Sequence, residues 1–425
     1  MGIFFGTDGI RGIVGEDLSY ELALKCGKAL AKLKPNCKVI VGRDTRSSGQ
    51  MLSQSICLGL VLGGATVTEI GMASTPSISY LTTNLGYDFG VVISASHNPA
   101  EYNGIKIFDS TGQKLTDKQE VKIEKLMVHD SVVDYSNIGK YVYKPAIIDK
   151  YIDFLCAQVD SLTGLNIAID CANGASKKIA KKVFTRLGAN VHFLGMAGGE
   201  KINYKCGATY PQKVANFVKK HGLDYGFSFD GDADRIVMVG TSGQIYSGDN
   251  ILYCLANNKK LFNNNIVVGT ALSNLGLELA LKQKNITLER ADVGDKYVIE
   301  KMQQLKTNIG GEQSGHIIVS NLLPTGDGLL VAILLCNIIT NNNPDKYMNF
   351  KAFPQIMINV ETSDKIRAMG SEELSKAITY ATEELSGMGR VLVRPSGTEN
   401  KIRIMVEAQN QARALTLAQY IASKV

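Results

Sequence analysis

The chain has 425 residues, of which 45% are hydrophobic and 20% charged, with a formal net charge of +6 at pH 7. This length suffices for about three domains, and the composition is that of a globular protein rather than a disordered one. We expect no membrane partner, because no apolar run reaches the roughly 20 residues of a membrane span. We expect no nucleic-acid partner, because the modest charge includes no arginine-rich block.

The N-terminal sequence and the cysteines bear on location. The opening MGIFFGTD lacks the charged and then apolar pattern of a secretory signal, so we expect a cytoplasmic protein. The eight cysteines are scattered without any CxxC pair. They are predicted to be reduced thiols rather than a zinc site or a redox motif.

Residues 1–140 predict a first α/β domain. The opening FGTDGIRG predicts a flexible glycine-rich loop that carries Arg11. Hydrophobic periodicity then predicts alternating helices and strands: a helix near 19–33, a strand from Lys38, a helix at 47–63, a strand at 65–70, a helix at 76–85 and a buried strand at 89–94. Such alternation is typical of a mostly parallel sheet.

The alternation restarts twice, which predicts two further α/β domains at residues 141–247 and 248–350. The second has predicted helices near 145–160, 174–187 and 211–221 and strands at 165–170, 190–194, 223–229 and 236–239. The third has predicted strands at 266–269 and 286–291 and helices at 274–284, 295–304 and 327–339. A smaller α+β domain, residues 351–425, is predicted from strands at 355–360, 390–393 and 401–407, a helix at 371–385 and a terminal helix.

Ser96 follows the buried strand of the first domain, in the run VVISASHNP. Open α/β sheets place their chemistry at the carboxyl ends of strands, so Ser96, exposed by its loop, is a candidate nucleophile, with an ordinary turn as the alternative. His97 adjoins it, but neighbouring side chains of an extended chain point apart, which argues against a direct pair.

Asp230, Asp232 and Asp234 occupy alternate positions directly after another buried strand, in DGDADR. Three carboxylates this close repel one another unless a cation lies among them, and oxygen ligands suit Mg²⁺. An EF-hand is excluded because Arg235 stands where that loop needs glycine. A solvated acidic turn is the alternative.

Two further motifs suit a phosphorylated sugar. The run GGEQSGH, with Glu312 and Ser314, offers hydrogen-bond donors and acceptors for hydroxyl groups. The run RPSGTEN joins an arginine to hydroxyls and a glycine, which suits a phosphate, although a structural turn would also explain it. It lacks the spacing of a nucleotide P-loop.

Together these motifs resemble the α-D-phosphohexomutase superfamily, whose motifs TDGIRG, SASHNP with NGIK, DGDADR, GEQSGH and RPSGTE occur here in order along essentially the whole chain. The resemblance implies that Ser96 is a phosphoserine that carries the phosphoryl group. It implies a Mg²⁺ site formed by Asp230, Asp232, Asp234 and the phosphate on Ser96.

The resemblance also implies roles for the remaining candidates. Arg11, His97 and Lys106 match positions at the reaction centre, with Lys106 as the proton-transfer group. Glu312 and Ser314 match contacts to the sugar hydroxyls. The clamp for the phosphate that is not reacting is matched by Arg394, Ser396, Gly397, Thr398 and Arg403.

Within the superfamily, GEQSGH and the segment VGDKYV are similar to the phosphoglucosamine mutase branch, whereas Ala233 and Asn400 depart from that branch. The implied reaction converts glucosamine 6-phosphate to glucosamine 1-phosphate through a hexosamine or hexose 1,6-bisphosphate that is both intermediate and activator. Phosphomannomutase or phosphoglucomutase activity and a non-catalytic sugar-phosphate sensor remain as alternatives. The expected partners are small sugar phosphates, and the expected assembly is a monomer or a homodimer.

Overall fold

The chain forms four sheets in series in a computed structural model that describes residues 4–6, 8–128, 134–262, 264–339, 343–396 and 400–425. The first three sheets are covered by helices, and the fourth is smaller. The predicted fold class, three α/β domains with mixed sheets followed by a smaller α+β domain around a central cleft, is confirmed.

The first domain has a seven-stranded sheet in the order β1-β2-β6-β5-β3-β4-β7. Its strands are β1 (Phe5–Gly6), β2 (Gly9–Ile13), β3 (Lys38–Arg43), β4 (Thr66–Met72), β5 (Phe89–Ile93), β6 (Tyr102–Asp109) and β7 (Lys140–Tyr143). Its helices are α1 (Tyr20–Leu33), α2 (Gly49–Leu62), α3 (Thr75–Asn84) and α4 (Asp117–Val128). The pairings from β5 through β3 and β4 to β7 are parallel, and those from β1 through β2 and β6 to β5 are antiparallel.

The second domain has five strands in the order β12-β11-β10-β8-β9. They are β8 (Asn166–Asp170), β9 (Asn190–Leu194), β10 (Tyr225–Phe229), β11 (Ile236–Gly240) and β12 (Ile245–Tyr246), with helices α5 (Ile148–Cys156), α6 (Ser176–Arg186) and α7 (Gln212–His221). The antiparallel hairpin of β10 and β11 brackets the DGDADR loop, which fixes the loop at both ends.

The third domain has four strands in the order β14-β13-β15-β16. Its elements are α8 (Gly248–Ala256), β13 (Ile266–Thr270), α9 (Leu275–Lys282), β14 (Thr287–Ala291), α10 (Asp295–Gln304), β15 (Ile309–Gly311), β16 (Ile317–Val319), α11 (Gly328–Ile339) and α12 (Asp345–Met348). Helix α11 carries no charged side chain and is largely buried, as expected of a helix that is apolar on all faces.

The C-terminal domain has an antiparallel three-stranded sheet in the order β17-β19-β18. Its elements are β17 (Gln355–Glu361), α13 (Lys365–Met369), α14 (Glu372–Leu385), β18 (Gly389–Pro395), β19 (Lys401–Ala408) and α15 (Gln411–Ala422).

One continuous apolar core joins the first three domains. It includes Val92 of the first domain, Phe229 of the second and Leu330 of the third, each buried. The C-terminal domain has its own apolar cluster, centred on Ile404 of β19. No helix among the described residues is long and apolar enough to span a bilayer.

The structure differs from the prediction at the N-terminal glycine-rich run, and it bears on where the first domain ends. The opening glycine-rich run contains strands β1 and β2 rather than only a flexible loop, because residues 10–13 pair with β6 and Gly9 pairs with Gly6 of β1. Gly9 has φ of +81°, and a Cβ there would meet the Ile105 carbonyl oxygen at 2.3 Å, so this position requires glycine. The boundaries at 140, 247 and 350 stay predictions. We propose to move the first beyond Tyr143, because β7 belongs to the first sheet.

Candidate active site

A cleft of about 580 Å³ lies where the four domains meet, and its lining comes from each of them. The lining residues are Asp8, Arg11, His97, Asp234, Arg235, Thr270, Leu272, Val293, Gly294, Asp295, Glu312, Gln313, Ser314, His316 and Arg403. Such a concave site with convergent polar groups has the size expected for a small-molecule ligand.

Ser96 lies just after β5, at the carboxyl end of that strand. Its side chain was expected to be exposed, and this was wrong: Ser96 is buried, because the loop after β10 of the second domain covers it. Its hydroxyl donates to Asp230 Oδ2 at 2.5 Å and lies 3.4 Å from Asp234 Oδ1. The structure thus brings the candidate nucleophile and the acidic loop into direct contact.

The backbone of the serine loop is held by Arg46, which is fully buried beside Asp44. The Arg46 guanidinium donates to the carbonyl oxygens of Ser96 at 3.0 Å and of Asn98 at 2.8 Å, and also to those of Pro99 and Tyr102. These contacts support Ser96 in a left-handed conformation, with φ of +50°, which costs a non-glycine residue about 1–2 kcal/mol.

We expect Arg46→Met to lower the free energy of unfolding by about 3–5 kcal/mol, because it leaves the Asp44 carboxylate buried without its cation and frees the loop carbonyls. Arg46→Lys keeps the charge but loses the planar fork, so it should recover only part of the stability. Urea unfolding of the three proteins measures both effects. Equal stability of all three would contradict this role.

The three aspartates lie within a single small volume, with one carboxylate oxygen from each within 4.8 Å of the others, and all three are buried. Asp232 Oδ1 is buried and has no hydrogen-bond partner among the described residues. An orphaned carboxylate oxygen in a ring of hard oxygen donors fits a divalent cation such as Mg²⁺. The residues present therefore fit the metal that the sequence predicts.

The charge balance of this loop is set by Lys106, which is buried on β6. Its Nζ lies 2.8 Å from Asp232, 3.1 Å from Asp234 and 3.2 Å from Asp8. Burial opposes a charged lysine, but these carboxylates raise the pKa of Lys106 well above its usual value. Burial and the charges of Asp234 and Asp232 raise the pKa of Asp230.

His97 and Arg11 line the cleft beside this centre. His97 Nδ1 lies 3.4 Å from Ser96 Oγ, so the expectation that the two side chains point apart was wrong. That expectation assumed extended backbone, whereas Ser96 is left-handed. Burial, with the charges of Arg235 and Arg11, lowers the pKa of His97 to about 4, which keeps its ring neutral at neutral pH. Arg11 donates to Asn98 Oδ1 at 3.0 Å.

Glu312 and Ser314 lie on the third-domain wall of the cleft. Glu312 Oε1 accepts the Gly294 N–H at 3.1 Å, and Ser314 Oγ lies 3.3 Å from Glu312 Oε2. His316 follows in the same turn and accepts the Gly326 N–H on Nε2 at 3.2 Å. That bond places the proton of a neutral ring on Nδ1, which faces Asp234 at 3.8 Å.

The predicted phosphate clamp lies on the C-terminal sheet. Arg394 on β18 and Arg403 on β19 are direct partners in the strand register, and Arg403 lines the cleft. Burial and the charge of Arg403 lower the pKa of Arg394. Ser396 is buried, and its carbonyl oxygen accepts from Lys365 at 2.9 Å. Gly397 and Thr398 lie outside the described residues.

Several residues at this site were not singled out from the sequence: Asp8, Arg46, Arg235 and His316. Three of them carried a usable signal, since Asp8 is in TDGIRG, Arg235 ends DGDADR and His316 ends GEQSGH. Arg46 lies in no such motif, and only the folded loop shows what it contacts.

Four family profiles match consecutive parts of the chain. They describe phosphoglucomutase/phosphomannomutase α/β/α domain I at residues 2–132, domain II at 149–243, domain III at 247–353 and the C-terminal domain at 357–424.

Curated relatives are similar over their full length. A phosphoglucosamine mutase of Bacillus mycoides is 43% identical, over 97% of this chain and 95% of the relative. A phosphoglucosamine mutase of Staphylococcus aureus is 42% identical, over 100% of this chain and 98% of the relative.

Solved structures share the fold. A phosphoglucomutase/phosphomannomutase family protein of Burkholderia thailandensis matches with a TM-score of 0.83 at 22% identity, over 98% of this chain and 96% of that one. An N-acetylphosphoglucosamine mutase of Aspergillus fumigatus, in complex with GlcNAc-6P and magnesium, matches with a TM-score of 0.68 at 16% identity, over 100% of this chain and 95% of that one. With four domain profiles and full-length relatives in agreement, the chain belongs to the phosphoglucomutase/phosphomannomutase family of phosphohexomutases.

Proposed function

We propose that this phosphohexomutase interconverts glucosamine 6-phosphate and glucosamine 1-phosphate, and so feeds amino-sugar nucleotide synthesis. The observation that carries the reaction type is the buried contact between Ser96 Oγ and Asp230, beside a cleft whose lining includes the neighbouring His97 and Asp234 and comes from all four domains. The choice of sugar is supported by the full-length relatives, which are phosphoglucosamine mutases.

Ser96 carries the phosphoryl group and passes it to the free oxygen of the bound sugar phosphate, which gives a 1,6-bisphosphate. The bisphosphate then turns over in the cleft and returns its other phosphoryl group to Ser96. Little covalent assistance is needed for phosphoryl transfer, because positioning and charge neutralisation supply most of the catalysis. A bisphosphate of the same kind supplied from outside would phosphorylate Ser96 and act as an activator.

The groups around Ser96 are arranged for this transfer. Lys106, whose Nζ lies 3.1 Å from Asp234, is the candidate proton-transfer group: it would take the proton of the sugar hydroxyl that attacks the phosphoryl group and give a proton back to the sugar oxygen that leaves when Ser96 is phosphorylated again. Arg11 and His97 border the space that a phosphoryl group on Ser96 would enter. Asp230, Asp232 and Asp234 would hold Mg²⁺ together with the serine phosphate, and the bound ion would neutralise the charge of the phosphoryl group.

The two ends of the substrate have separate partners in this account. Glu312 and Ser314 bind the sugar hydroxyls, whose paired donors and acceptors they complement. Arg394 and Arg403, with Ser396, Gly397 and Thr398, hold the phosphate that is not reacting. The adjacent guanidinium groups repel each other, and an anion between them would relieve that repulsion.

Arg394→Ala is expected to lower kcat/KM by roughly 10- to 100-fold, because a charged hydrogen bond contributes about 1.5–3 kcal/mol. The variant should also release more free 1,6-bisphosphate, because the intermediate must be held while it turns over. The surface arginine Arg413, paired with Glu384 in the same domain, provides the matched control Arg413→Ala. Wild-type kcat/KM without release of the intermediate would place the clamp elsewhere.

Initial rates on glucosamine, glucose and mannose 6-phosphates, measured side by side with Mg²⁺ and a trace of hexose 1,6-bisphosphate, test the substrate. We expect the highest kcat/KM on glucosamine 6-phosphate. A higher value on glucose or mannose 6-phosphate would make the protein a phosphoglucomutase or phosphomannomutase. Binding without turnover of any of the three would indicate a sugar-phosphate sensor. The intact cluster of Ser96, Lys106 and the aspartates argues against that function.

A cytoplasmic location and a monomeric or homodimeric state remain predictions. The location is supported by the eight cysteines, none of which forms a disulfide within the described part of the chain.

A further inference from the structure

Lys114 lies at the contact between the first and third domains, on the turn that follows β6. Its side chain is only 15% exposed. Its ammonium group forms ion pairs with two carboxylates at once, Asp8 of the first domain and Asp295 of the third. The loop around it is also held to α10, because Gln303 Nε2 donates to Gln113 Oε1 at 2.8 Å.

The two partners of Lys114 face different halves of the site. Asp8 belongs to the phosphoryl-transfer side, since it pairs with Arg11 and lies 3.2 Å from Lys106. Asp295 belongs to the sugar side. It is the first residue of α10 and directly follows Gly294, whose N–H donates to Glu312 Oε1 at 3.1 Å.

The positive charge of Lys114 balances the two carboxylates that it contacts, those of Asp8 and Asp295. Burial alone would lower its pKa, but Asp295 and Asp8 raise the pKa above the usual lysine value, so the ammonium stays charged. Without that charge, two carboxylates from different domains would face each other across a poorly solvated gap. Their repulsion would push the start of α10 away from the first domain.

We infer that Lys114 is a positioning residue that fixes the Gly294–Glu312 side of the sugar site relative to the phosphoryl-transfer centre at Ser96. This inference rests on the proposed function, since it assumes that a sugar phosphate bound at Glu312 must meet Ser96. Lys114 itself does not line the cleft, so its effect passes through Asp8 and Asp295.

Lys296 provides a matched comparison within the same domain contact. It is also a poorly exposed lysine that joins the third domain to the first, through Asp117 and Glu120 of α4. Its ion pairs do not reach the cleft lining. Lys114→Met and Lys296→Met therefore each remove one interdomain cation, but only the first removes a link between the two halves of the site.

The experiment compares Lys114→Met, Lys114→Arg, Lys296→Met, Asp295→Asn and the double variant Lys114→Met/Asp295→Asn. We expect Lys114→Met to lower kcat/KM on the preferred sugar phosphate by about 10- to 100-fold, as for a lost charged contact. Lys114→Arg should recover most of this loss. Lys296→Met should stay within about twofold of the wild type, because none of the residues in its ion pairs lines the cleft. The double variant should lose no more than the worse single variant, because both changes remove the same contact.

Amide hydrogen exchange provides a second readout that does not depend on turnover. The Gly294 amide should exchange faster in Lys114→Met than in the wild type and in Lys296→Met, with thermal midpoints alike in the two methionine variants. Equal kcat/KM and equal exchange in the two methionine variants would overturn the inference, as would losses that simply multiply in the double variant. A wild type that converts no sugar phosphate would reject the proposed function, while the exchange comparison would still decide the role of Lys114.

Discussion

Ser96→Ala is expected to abolish mutase turnover, with kcat reduced by roughly 10⁴-fold or more, as for the loss of a covalent nucleophile. In our account this hydroxyl is the atom that receives and donates the phosphoryl group, and alanine offers no replacement. The Ser96 hydroxyl contacts the acidic loop at Asp230, whereas the hydroxyl of Thr75 contacts it at Asp232. Turnover assays and intact-protein mass measure the loss of activity and of the phosphoryl group together.

The fold should survive this substitution. Alanine removes one buried hydrogen bond, worth about 1 kcal/mol of stability. Ser79→Ala is the matched control, because Ser79 is also buried in the first domain and donates a single hydrogen bond, to the Gly112 carbonyl oxygen at 2.6 Å. We expect similar thermal midpoints for the two variants and activity only in Ser79→Ala. Full activity in Ser96→Ala would remove Ser96 from the mechanism.

Asp232→Asn should reduce kcat by about 10²- to 10³-fold, equivalent to about 3–4 kcal/mol of transition-state stabilisation. The Asp232 carboxylate contacts Lys106 and accepts from Thr75 Oγ1 at 2.5 Å, and its other oxygen has no partner within the described residues. An amide would remove a negative charge from the candidate metal site and would leave Lys106 with one partner fewer. Steady-state kinetics over a range of Mg²⁺ concentrations should show both a lower kcat and a weaker response to the metal.

Asp224→Asn separates this effect from a general loss of negative charge. Asp224 precedes β10, whereas Asp230 follows that strand. The Asp224 carboxylate accepts the Asn166 N–H at 2.8 Å, and neither residue lines the cleft. Asp224→Asn should keep kcat within about threefold of the wild-type value, which is the range expected for a surface substitution. If Asp232→Asn kept the kcat and the Mg²⁺ response of the control, the acidic loop would not be the metal site.

The sequence predicted the elements whose residues carry strong periodicity. The short buried strands β5 and β10 were found because each is a mostly apolar run that ends in polar loop residues, and helix α11 was found because its 12 residues include no charge. The motif residues were found because polar side chains at the carboxyl ends of such strands are typical of functional sites. Ser96 follows β5 of the first sheet and Asp230 follows β10 of the second, and the two residues, 134 positions apart in the chain, meet at 2.5 Å.

The features that the sequence did not predict depend on tertiary contacts. The pairing of residues 10–13 with β6 makes a strand of an apparent glycine loop, and the local sequence pattern does not reveal this partner. The burial of Ser96 depends on a loop from another domain, and the left-handed backbone at Ser96 is supported by Arg46 from 50 positions away. Ala233 has φ of +60°, a conformation that favours glycine, and nothing in its own sequence context indicates it.

The most direct test of the central claim follows a labelled phosphoryl group from Ser96. The protein would be labelled with ³²P at Ser96, freed of excess label and mixed with unlabelled glucosamine 6-phosphate in a single-turnover experiment. We expect the label to leave the protein at least as fast as kcat and to appear first in the 1,6-bisphosphate and then in glucosamine 1-phosphate. Glucosamine 1-phosphate that accumulates while the label stays on Ser96 would contradict it.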